Sequence, residues 1–177
     1  MRIVAGEARG RRLIVPEGSN TRPTTDRVRE ATFNALFSLD AIDDATFCDL
    51  FAGSGALGLE ALSRGAAHCT FVERDRAALA ALRDNIESLG YDDRARVVAA
   101  DATRWIANAG HFDVVLADPP YDFTDWTGLL VATTAGLVVA ESGSPLDTVP
   151  GWETIRERSY GSTVVGLLQP RSPQEAT

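Results

Sequence analysis

The part of the chain that most constrains the fold is a glycine-rich stretch at residues 47–60, FCDLFAGSGALGLE. Its first residues favour a buried strand, and Leu57, Ala61 and Leu62 lie on one side of a following helix. Gly53 and Gly55 between them allow backbone conformations that other residues rarely adopt. The stretch therefore predicts a strand, a tight turn and a helix, with backbone N–H groups directed toward the strand end where open α/β sheets bind ligands.

The rest of the chain alternates between strand and helix patterns, which is typical of a mostly parallel sheet with helices on both faces. Strands are predicted at residues 46–51, 68–73, 95–99, 112–117 and 137–140, and helices at residues 56–63, 76–89, 103–109 and 125–133. Two further strands, at residues 154–160 and 163–169, flank Gly161 and Ser162 and predict a terminal antiparallel hairpin. The predicted fold class is therefore α/β with a Rossmann-like sheet.

The first 40 residues predict an extension that precedes this alternating pattern. Short strands at residues 3–6 and 11–15, with glycines at positions 6 and 10, indicate a small hairpin. A helix with apolar residues at helical spacing follows, and Thr24 and Thr25 are candidates for its cap. The predicted division is an extension at residues 1–40, a main domain at residues 41–170 and a frayed tail at residues 171–177.

The charge of the chain is unevenly distributed along its length. The net charge of −8 argues against a nucleic-acid partner, but residues 1–30 hold seven arginines against four acids. A basic extension on an acidic body can still bind phosphates, although a merely solvated N-terminus is the simpler alternative. These seven residues are Arg2, Arg9, Arg11, Arg12, Arg22, Arg27 and Arg29.

Several classes of protein are disfavoured by the sequence. No apolar run approaches the ~20 residues that a membrane span requires, and the N-terminus has no signal core, so we expect a cytoplasmic protein without a membrane partner. Cys48 and Cys69 fall on predicted buried strands and are expected to be reduced. His68 and His111 are isolated from other candidate ligands, and no metal site is expected.

The glycine turn and the acids around it predict a ligand that carries an adenosine group. Gly53, Gly55 and Gly58 match the dinucleotide-binding spacing, and Glu73 follows at the end of the next strand, where an acid can accept hydrogen bonds from ribose hydroxyls. Both a dinucleotide and S-adenosylmethionine fit this arrangement, and Asp49, four residues before Gly53, favours S-adenosylmethionine. Asp101 closes the third strand, where contact with an adenine amino group and a helix cap are equally plausible roles.

The motif that indicates the chemistry is Asp118-Pro119-Pro120-Tyr121, directly after the fourth strand. An exocyclic base amine is a poor nucleophile because its lone pair is delocalised into the ring. Acceptors on both amine hydrogens, here the Asp118 carboxylate and the Pro119 carbonyl, would aim that lone pair at a methyl sulfonium, so positioning would dominate the rate. Tyr121 can stack on the base, a contact worth ~1–3 kcal/mol. The alternative is a simple strand terminator, since two prolines end a ladder.

These motifs together resemble one family. MRIVAG at residues 1–6, RGR at 9–11, RPTTDRVRE at 22–30 and DLFAGSGALGLEALSR at 49–64, with the motif at residues 118–121, closely resemble the RsmD family of bacterial 16S ribosomal RNA (guanine-N2)-methyltransferases. The resemblance implies a class I methyltransferase fold, S-adenosylmethionine as donor and a guanine of 16S ribosomal RNA as acceptor. It is strong over residues 1 to about 123 and weak beyond, where the segment between Asp122 and Ser142 is shorter than the family pattern.

The predicted site has three parts. The catalytic residues are expected to be Asp118, Pro119, Pro120 and Tyr121. The cofactor-binding residues are expected to be Asp49, Phe51, Gly53, Ser54, Gly55, Glu73, Arg74, Asp101 and Ala102. The residues that contact RNA are expected to be Arg9, Arg11, Arg12, Arg22, Thr24 and Arg27, and the expected partner is 16S ribosomal RNA within a small-subunit assembly particle, bound by a monomer.

Three alternative functions remain open at this stage. An adenine-N6 methyltransferase would use the same Asp-Pro-Pro-Tyr motif. A dinucleotide-binding redox module fits the glycine turn but has no obvious use for the motif. A non-catalytic RNA-binding protein leaves the cofactor turn unexplained.

Overall fold

The computed structural model describes residues 1–16 and 26–172. Within them the helices are α1 (Asp26–Ser38), α2 (Ala56–Ser63), α3 (Arg76–Leu89), α4 (Ala102–Ile106) and α5 (Trp126–Ala132). The strands are β1 (Thr46–Leu50), β2 (His68–Glu73), β3 (Ala95–Ala99), β4 (His111–Ala117), β5 (Thr134–Ser142), β6 (Trp152–Tyr160) and β7 (Thr163–Pro170).

The strands of the described residues form one sheet in the order β3-β2-β1-β4-β5-β7-β6. Strands β1 to β5 pair in parallel, and β7 pairs antiparallel with both β5 and β6. The predicted parallel sheet with a terminal antiparallel hairpin is therefore confirmed. The strand order reverses between β1 and β4, which are neighbours in the sheet. A topological switch point of this kind opens a crevice at the carboxyl ends of the strands.

Two helical layers cover the sheet. On one face, Leu36 of α1, Leu62 of α2 and Leu82 of α3 bury against Leu116 of β4 and Leu167 of β7. On the opposite face, α4 and α5 cover a second apolar cluster with side chains from β1, β4, β5 and β7. Burial on both faces explains why the central strands read as nearly continuous apolar runs.

The glycines of the first turn are required for different structural reasons. Gly55 precedes α2 with a φ of 85°, a left-handed conformation that other residues adopt only at a cost. Gly58 lies inside α2 in ordinary helical conformation, but a Cβ there would lie 2.3 Å from Cε1 of Phe71. Gly55 therefore shapes the turn, and Gly58 allows α2 to approach β2 closely.

The bounds of several elements differ from the prediction. β5 runs from Thr134 to Ser142, longer than the apolar run at residues 137–140, because its polar ends still pair with β4 and β7. Strand β1 ends at Leu50, since Phe51 has a φ of 59° and leaves the extended conformation. Helix α5 has 7 residues, in agreement with the shortened segment that the sequence indicates before β5.

The N-terminal extension is packed into the same core as the main domain. Ile3, Ala8 and Leu13 are buried in the cluster that contains α1, α2 and α3. The predicted hairpin is present in reduced form, with one antiparallel bridge between Arg2 and Arg12. The division at residue 40 thus remains a prediction about function, since the apolar packing is continuous across it.

A buried ionic cluster fixes the extension to α2. The carboxylate of Glu60 accepts hydrogen bonds from the backbone N–H groups of Val4 at 2.8 Å and Ala5 at 3.0 Å. The guanidinium groups of Arg64 and Arg29 lie 2.7 and 3.5 Å from the same carboxylate. Arg29, one of the seven arginines of the first 30 residues, has a fully buried side chain and is thus a structural residue.

The end of the described chain is held by hydrogen bonds. The backbone N–H of Arg171 donates to the Gly151 carbonyl at 2.8 Å, and its Nε donates to the Trp152 carbonyl at 3.0 Å. The predicted frayed tail, residues 171–177, thus begins with a well-bonded residue, and residues 173–177 lie outside the described part. Among residues 1–16 and 26–172, no helix is both long and apolar enough to span a bilayer.

Candidate active site

A cleft of about 860 Å³ opens at the carboxyl ends of β1, β2, β3 and β4. Its volume lies in the range of small-molecule sites. Predicted site residues that line it are Phe51, Gly53, Ser54, Glu73, Arg74, Asp101, Ala102, Asp118 and Pro120. The cleft thus brings together the glycine turn, both acids of the neighbouring strands and the start of the Asp-Pro-Pro-Tyr motif.

The glycine turn is held in place by Glu73. The backbone N–H of Gly53 donates to Oε2 of Glu73 at 2.8 Å, and Oε1 accepts from the N–H groups of Arg74 at 2.7 Å and Asp75 at 2.8 Å. A carboxylate offers about four acceptor positions, so these three bonds leave capacity for a ligand hydroxyl. The residue before the turn, Phe51, holds a left-handed φ of 59°, a strained conformation of the kind found at functional sites.

Asp49 lies beneath the cleft rather than on its surface. Its side chain is buried, and Oδ2 accepts a hydrogen bond of 2.8 Å from the backbone N–H of Gly58 in the first turn of α2. Burial raises the pKa of the Asp49 carboxyl well above its ordinary range, the Gly58 bond opposes this, and the charges of Asp118 and Glu73 add to it. Gly55 is buried as well, so these two predicted residues shape the turn from below.

Asp101 caps a helix at the edge of the cleft. Its Oδ1 accepts from the Thr103 hydroxyl at 2.5 Å and from the backbone N–H of Arg104 at 3.2 Å, while Oδ2 lies 3.0 Å from a guanidinium nitrogen of Arg74. The Thr103 hydrogen bond is the main cause that lowers the pKa of Asp101. The helix-cap alternative from the sequence is therefore observed, and the carboxylate also remains on the lining of the cleft.

The Asp-Pro-Pro-Tyr motif forms the rim next to β4. The backbone N–H of Phe123 donates to the Pro120 carbonyl at 2.9 Å, which closes a turn around Tyr121. The Tyr121 side chain is 89% exposed, an unusual position for a large aromatic ring. Asp118 lines the cleft beside this turn, so the motif presents a carboxylate and an open aromatic face at one edge.

An aromatic cluster behind the rim was not predicted from the sequence. The rings of Phe51 and Phe123 have centroids 5.5 Å apart, and Phe123 packs edge-on to Trp126 at 5.3 Å. Phe123 lies only two residues after Tyr121, and this closeness to the motif was the one sequence feature that could have indicated a place for Phe123 in the site. The cluster connects the strained residue before the glycine turn to the loop that carries Tyr121.

The N-terminal extension also contributes to the cleft. Met1, Val15 and Pro16 are part of its lining. The Asn85 side chain of α3, fully buried, donates to the carbonyls of Ile14 at 2.9 Å and Ser54 at 3.0 Å. One amide thereby joins the extension to the glycine turn, a contact that the apolar spacing of α3 does not reveal.

The predicted RNA-contacting arginines differ in their surroundings. Arg9, Arg12 and Arg27 are exposed, and Arg11 is exposed but donates a hydrogen bond to the Ser88 carbonyl. Arg22 and Thr24 lie outside the described residues. Among residues 1–16 and 26–172, no group of three or more His, Cys, Asp or Glu side chains is arranged to hold a metal ion.

Known proteins resemble this chain over almost its whole length. The sequence model of the family described as conserved hypothetical protein 95 matches residues 1–169. The Ribosomal RNA small subunit methyltransferase D of Escherichia coli strain K12 is 40% identical over 187 residues, covering 99% of this chain and 93% of the relative. The protein of the same name from Haemophilus influenzae is 36% identical over 185 residues, covering 96% of this chain and 93% of the relative. A solved structure of the Escherichia coli protein yhhF has a TM-score of 0.85 at 41% identity and covers 97% of this chain and 98% of that one.

Proposed function

The chain belongs to the family described as conserved hypothetical protein 95, the RsmD family, and on this premise we propose that it methylates the 2-amino group of a guanine in 16S ribosomal RNA. The methyl donor is S-adenosylmethionine. The observation that carries the proposal is the Asp118–Tyr121 motif at the rim of a cleft that also contains the glycine turn and Glu73. The resemblance to the RsmD family read from the sequence is confirmed.

The charge of the cleft favours S-adenosylmethionine over a dinucleotide. Acidic residues predominate among the charged residues of its lining, and Arg74 is the only basic residue there among those described. A pyrophosphate would be placed among carboxylates, whereas a sulfonium cation and an ammonium group would be attracted by them. The acidic residues of the lining are Glu73, Asp75, Asp101, Asp118, Asp122 and Asp125.

The cofactor would be held along the ends of three strands. The remaining acceptor capacity of Glu73 suits a ribose hydroxyl, and Asp101 with Ala102 suits the adenine edge. Gly53 and Ser54 would form the floor beneath the amino acid part, with Asp49 supporting the turn from below through Gly58. When bound, S-adenosylmethionine supplies an electrophilic methyl group.

The residues of the motif would orient the guanine amine. The Asp118 carboxylate and the Pro119 carbonyl accept its two hydrogens and direct its lone pair toward the methyl group. The ring of Pro119 stiffens the loop, and Tyr121 stacks on the base, which offsets part of the few kcal/mol required to unstack it from the RNA. The amine becomes strongly acidic once methylated, so its proton can pass to water or to Asp118 without a dedicated base.

Binding of the RNA would depend on the extension at residues 1–40. Arg9, Arg12 and Arg27 present exposed guanidinium groups, while Arg11, Arg22 and Thr24 are proposed to complete the surface. The rest of the chain is acidic, so phosphate attraction must come from such local clusters. We propose that the enzyme acts as a monomer on RNA within a small-subunit assembly particle.

The proposal is tested by incubation of the protein with labelled S-adenosylmethionine and small subunits that lack the modification. Label in N2-methylguanosine at a single position after nuclease digestion is the expected result. Label in N6-methyladenosine would instead support the adenine-directed alternative. Absence of label, together with tight binding of a nicotinamide dinucleotide, would contradict the proposal.

A further inference from the structure

Strand β6 lies at the edge of the sheet and carries two exposed arginines. Among the described residues β6 pairs only with β7, and the segment at residues 154–159 is exposed on both sides of the strand. The side chains of Arg156 and Arg158 make no hydrogen bond or ion pair with the described residues. They lie far along the sequence from the basic extension, and no part of the proposed function uses them.

A bulge in β6 decides which face of the sheet these arginines occupy. Thr154 lies opposite Leu168 of β7, whereas Arg156 lies opposite Leu167, so Ile155 is an extra residue. Residues directly opposite on paired strands point to the same face. Without the extra residue, Arg156 would share the face of Thr154, and bulges are known to redirect side chains in this way.

The face that the bulge selects is the one covered by α1. Leu167 and Val165, the partners of Arg156 and Arg158, belong to the apolar cluster beneath α1, α2, α3 and the N-terminal extension. Glu157 between them lies opposite Gly166 and points to the other face. Both exposed arginines therefore lie on the side of the basic extension and Glu157 lies on the side of α4 and α5, while Glu153, before the bulge, shares the face of the arginines and accepts a hydrogen bond from Gln169.

The register also places Arg158 level with the motif at the end of β4. Ala117 pairs with Ala140, and the next row of the sheet contains Glu141, Val165 and Arg158. Asp118 directly follows Ala117 and so belongs to this row. Three strand spacings of about 4.8 Å separate Asp118 from Arg158, a distance of about 14 Å along the sheet edge.

We propose that Arg156 and Arg158 form a second phosphate-binding surface for the RNA, on the α1 face and level with the acceptor site. The inference rests on the proposed function, since it presumes an RNA substrate with its guanine at Asp118. The extension would bind the strand on one side of that guanine, and β6 would bind the backbone on the other. Acidic residues at the cleft rim exclude phosphates there, which leaves the two basic surfaces to hold the flanking nucleotides.

The test compares Arg156→Ala/Arg158→Ala with the wild type in binding an unmodified 16S ribosomal RNA transcript at several salt concentrations. Each phosphate contact contributes about 0.7–0.9 to the slope of log K against log salt, so the double variant should lose about 1.4–1.8 from that slope. If the two proteins bind the transcript equally at 1 M salt, this difference in slope makes the affinity of the double variant roughly 25- to 60-fold weaker than that of the wild type at about 0.1 M salt. Affinity for S-adenosylmethionine should be unchanged.

Two control variants separate the position of the charges from their number. Arg83→Ala/Arg96→Ala removes two exposed arginines from α3 and the opposite edge strand β3 and should leave the slope unchanged. Adding Thr154→Arg and Ser159→Arg to Arg156→Ala/Arg158→Ala returns two arginines on the other face at the wild-type net charge and should not restore binding. Restoration, or an equal loss in the first control, would overturn the inference in favour of a net-charge effect.

Three further outcomes distinguish failure of this inference from failure of the proposed function. An unchanged slope in Arg156→Ala/Arg158→Ala, with wild-type methylation intact, would overturn the inference while leaving the proposed function standing. A defect seen on assembly particles but absent on the bare transcript would show that the edge strand contacts a protein and would overturn phosphate binding. Failure of the wild type to methylate RNA would instead contradict the proposed function itself.

Discussion

Asn85 forms a two-way hydrogen-bonded pair with the backbone of Ile14. Its Oδ1 accepts from the Ile14 N–H at 2.7 Å, and its Nδ2 donates to the Ile14 carbonyl at 2.9 Å. The same Nδ2 donates to the carbonyl of Ser54 at 3.0 Å. The backbone of the extension and the glycine turn are thus positioned by one buried side chain, so the two parts of the proposed site are mechanically connected.

Replacement of Asn85 should therefore affect the fold and the cofactor cleft together. Asn85→Leu keeps the volume but leaves the buried Ser54 carbonyl without a partner, at a cost of about 1–3 kcal/mol if no water replaces the amide. The N–H and carbonyl of Ile14 also lose their partner, but Ile14 is 53% exposed and water can replace these bonds. The free energy of unfolding should fall by about 1–3 kcal/mol in urea denaturation, and S-adenosylmethionine affinity should fall as the turn loosens. The exposed Asn34→Leu in α1 is the control, and an equal effect in both variants would contradict the role of Asn85.

The sequence predicted those features that depend on local pattern. The alternation of strand and helix, the turn at Gly53 and Gly55, and the Asp118 motif at a strand end could all be read because each is encoded within a few consecutive residues. The pairings of Asn85 with Ile14 and of Glu60 with Arg29 could not be predicted. They join distant segments, and a buried polar residue has no period that distinguishes it from a solvated one.

The same limit applies to the role of individual arginines. Arg29 belongs by sequence to the basic cluster of the first 30 residues, but it is buried against Glu60, while Arg9 and Arg12 remain exposed. Composition gives the number of charges in a segment and not the side of the helix or strand that carries them. The bulge at Ile155 is a second example, since one extra residue exchanges the faces of all residues that follow it.

Glu60 should be essential for the stability of the extension. Glu60→Gln retains the volume but removes one of the two carboxylates that balance Arg29, whose side chain has no exposure to water, and leaves Asp26 at 2.9 Å as the other. Breaking a buried ion pair by removing one partner costs about 3–5 kcal/mol. Urea denaturation should show a loss of this size, whereas the exposed Glu30→Gln on α1 should change stability by less than about 0.5 kcal/mol. A small loss for Glu60→Gln would indicate that Asp26 alone is sufficient to compensate Arg29.

Asp49 should make the stability of the protein dependent on pH. Because burial raises its pKa in the folded state, folding retains a proton that the unfolded chain releases above about pH 4. Its contribution to stability is therefore fully present below about pH 4 and is lost as the pH rises toward the folded-state pKa, by up to about 1.4 kcal/mol per pH unit. Asp49→Asn keeps an acceptor for Gly58 without this loss.

The measurement for Asp49 is the free energy of unfolding of both proteins between pH 4 and pH 8. The stability of Asp49→Asn relative to the wild type should increase as the pH rises from about 4. Calorimetry with S-adenosylmethionine, run in parallel, reports whether the charge also attracts the cofactor. A stability difference that does not vary with pH would contradict a raised pKa at this position.

The exposed ring of Tyr121 should act on the RNA step and not on cofactor capture. Tyr121→Ala removes a stacking surface worth about 1–3 kcal/mol, which predicts a loss of roughly 5- to 150-fold in kcat/KM for RNA. Tyr121→Phe should retain most of the activity, because the ring and its face are unchanged.

Asp118→Ala should lower turnover by orders of magnitude while most S-adenosylmethionine affinity is kept.

The support of this ring by Gly143 gives a further test that leaves Tyr121 itself intact. A Cβ at Gly143 would lie 3.2 Å from Cε2 of Tyr121, so Gly143→Ala should displace the ring by a few tenths of an ångström. Since Tyr121 is exposed, the displacement should leave the free energy of unfolding nearly unchanged and should lower kcat/KM for RNA less than Tyr121→Ala does. Ser144→Ala, on the neighbouring exposed residue, is the matched control. If Tyr121→Ala and Gly143→Ala both methylated RNA at the wild-type rate, the base would be held elsewhere on the rim.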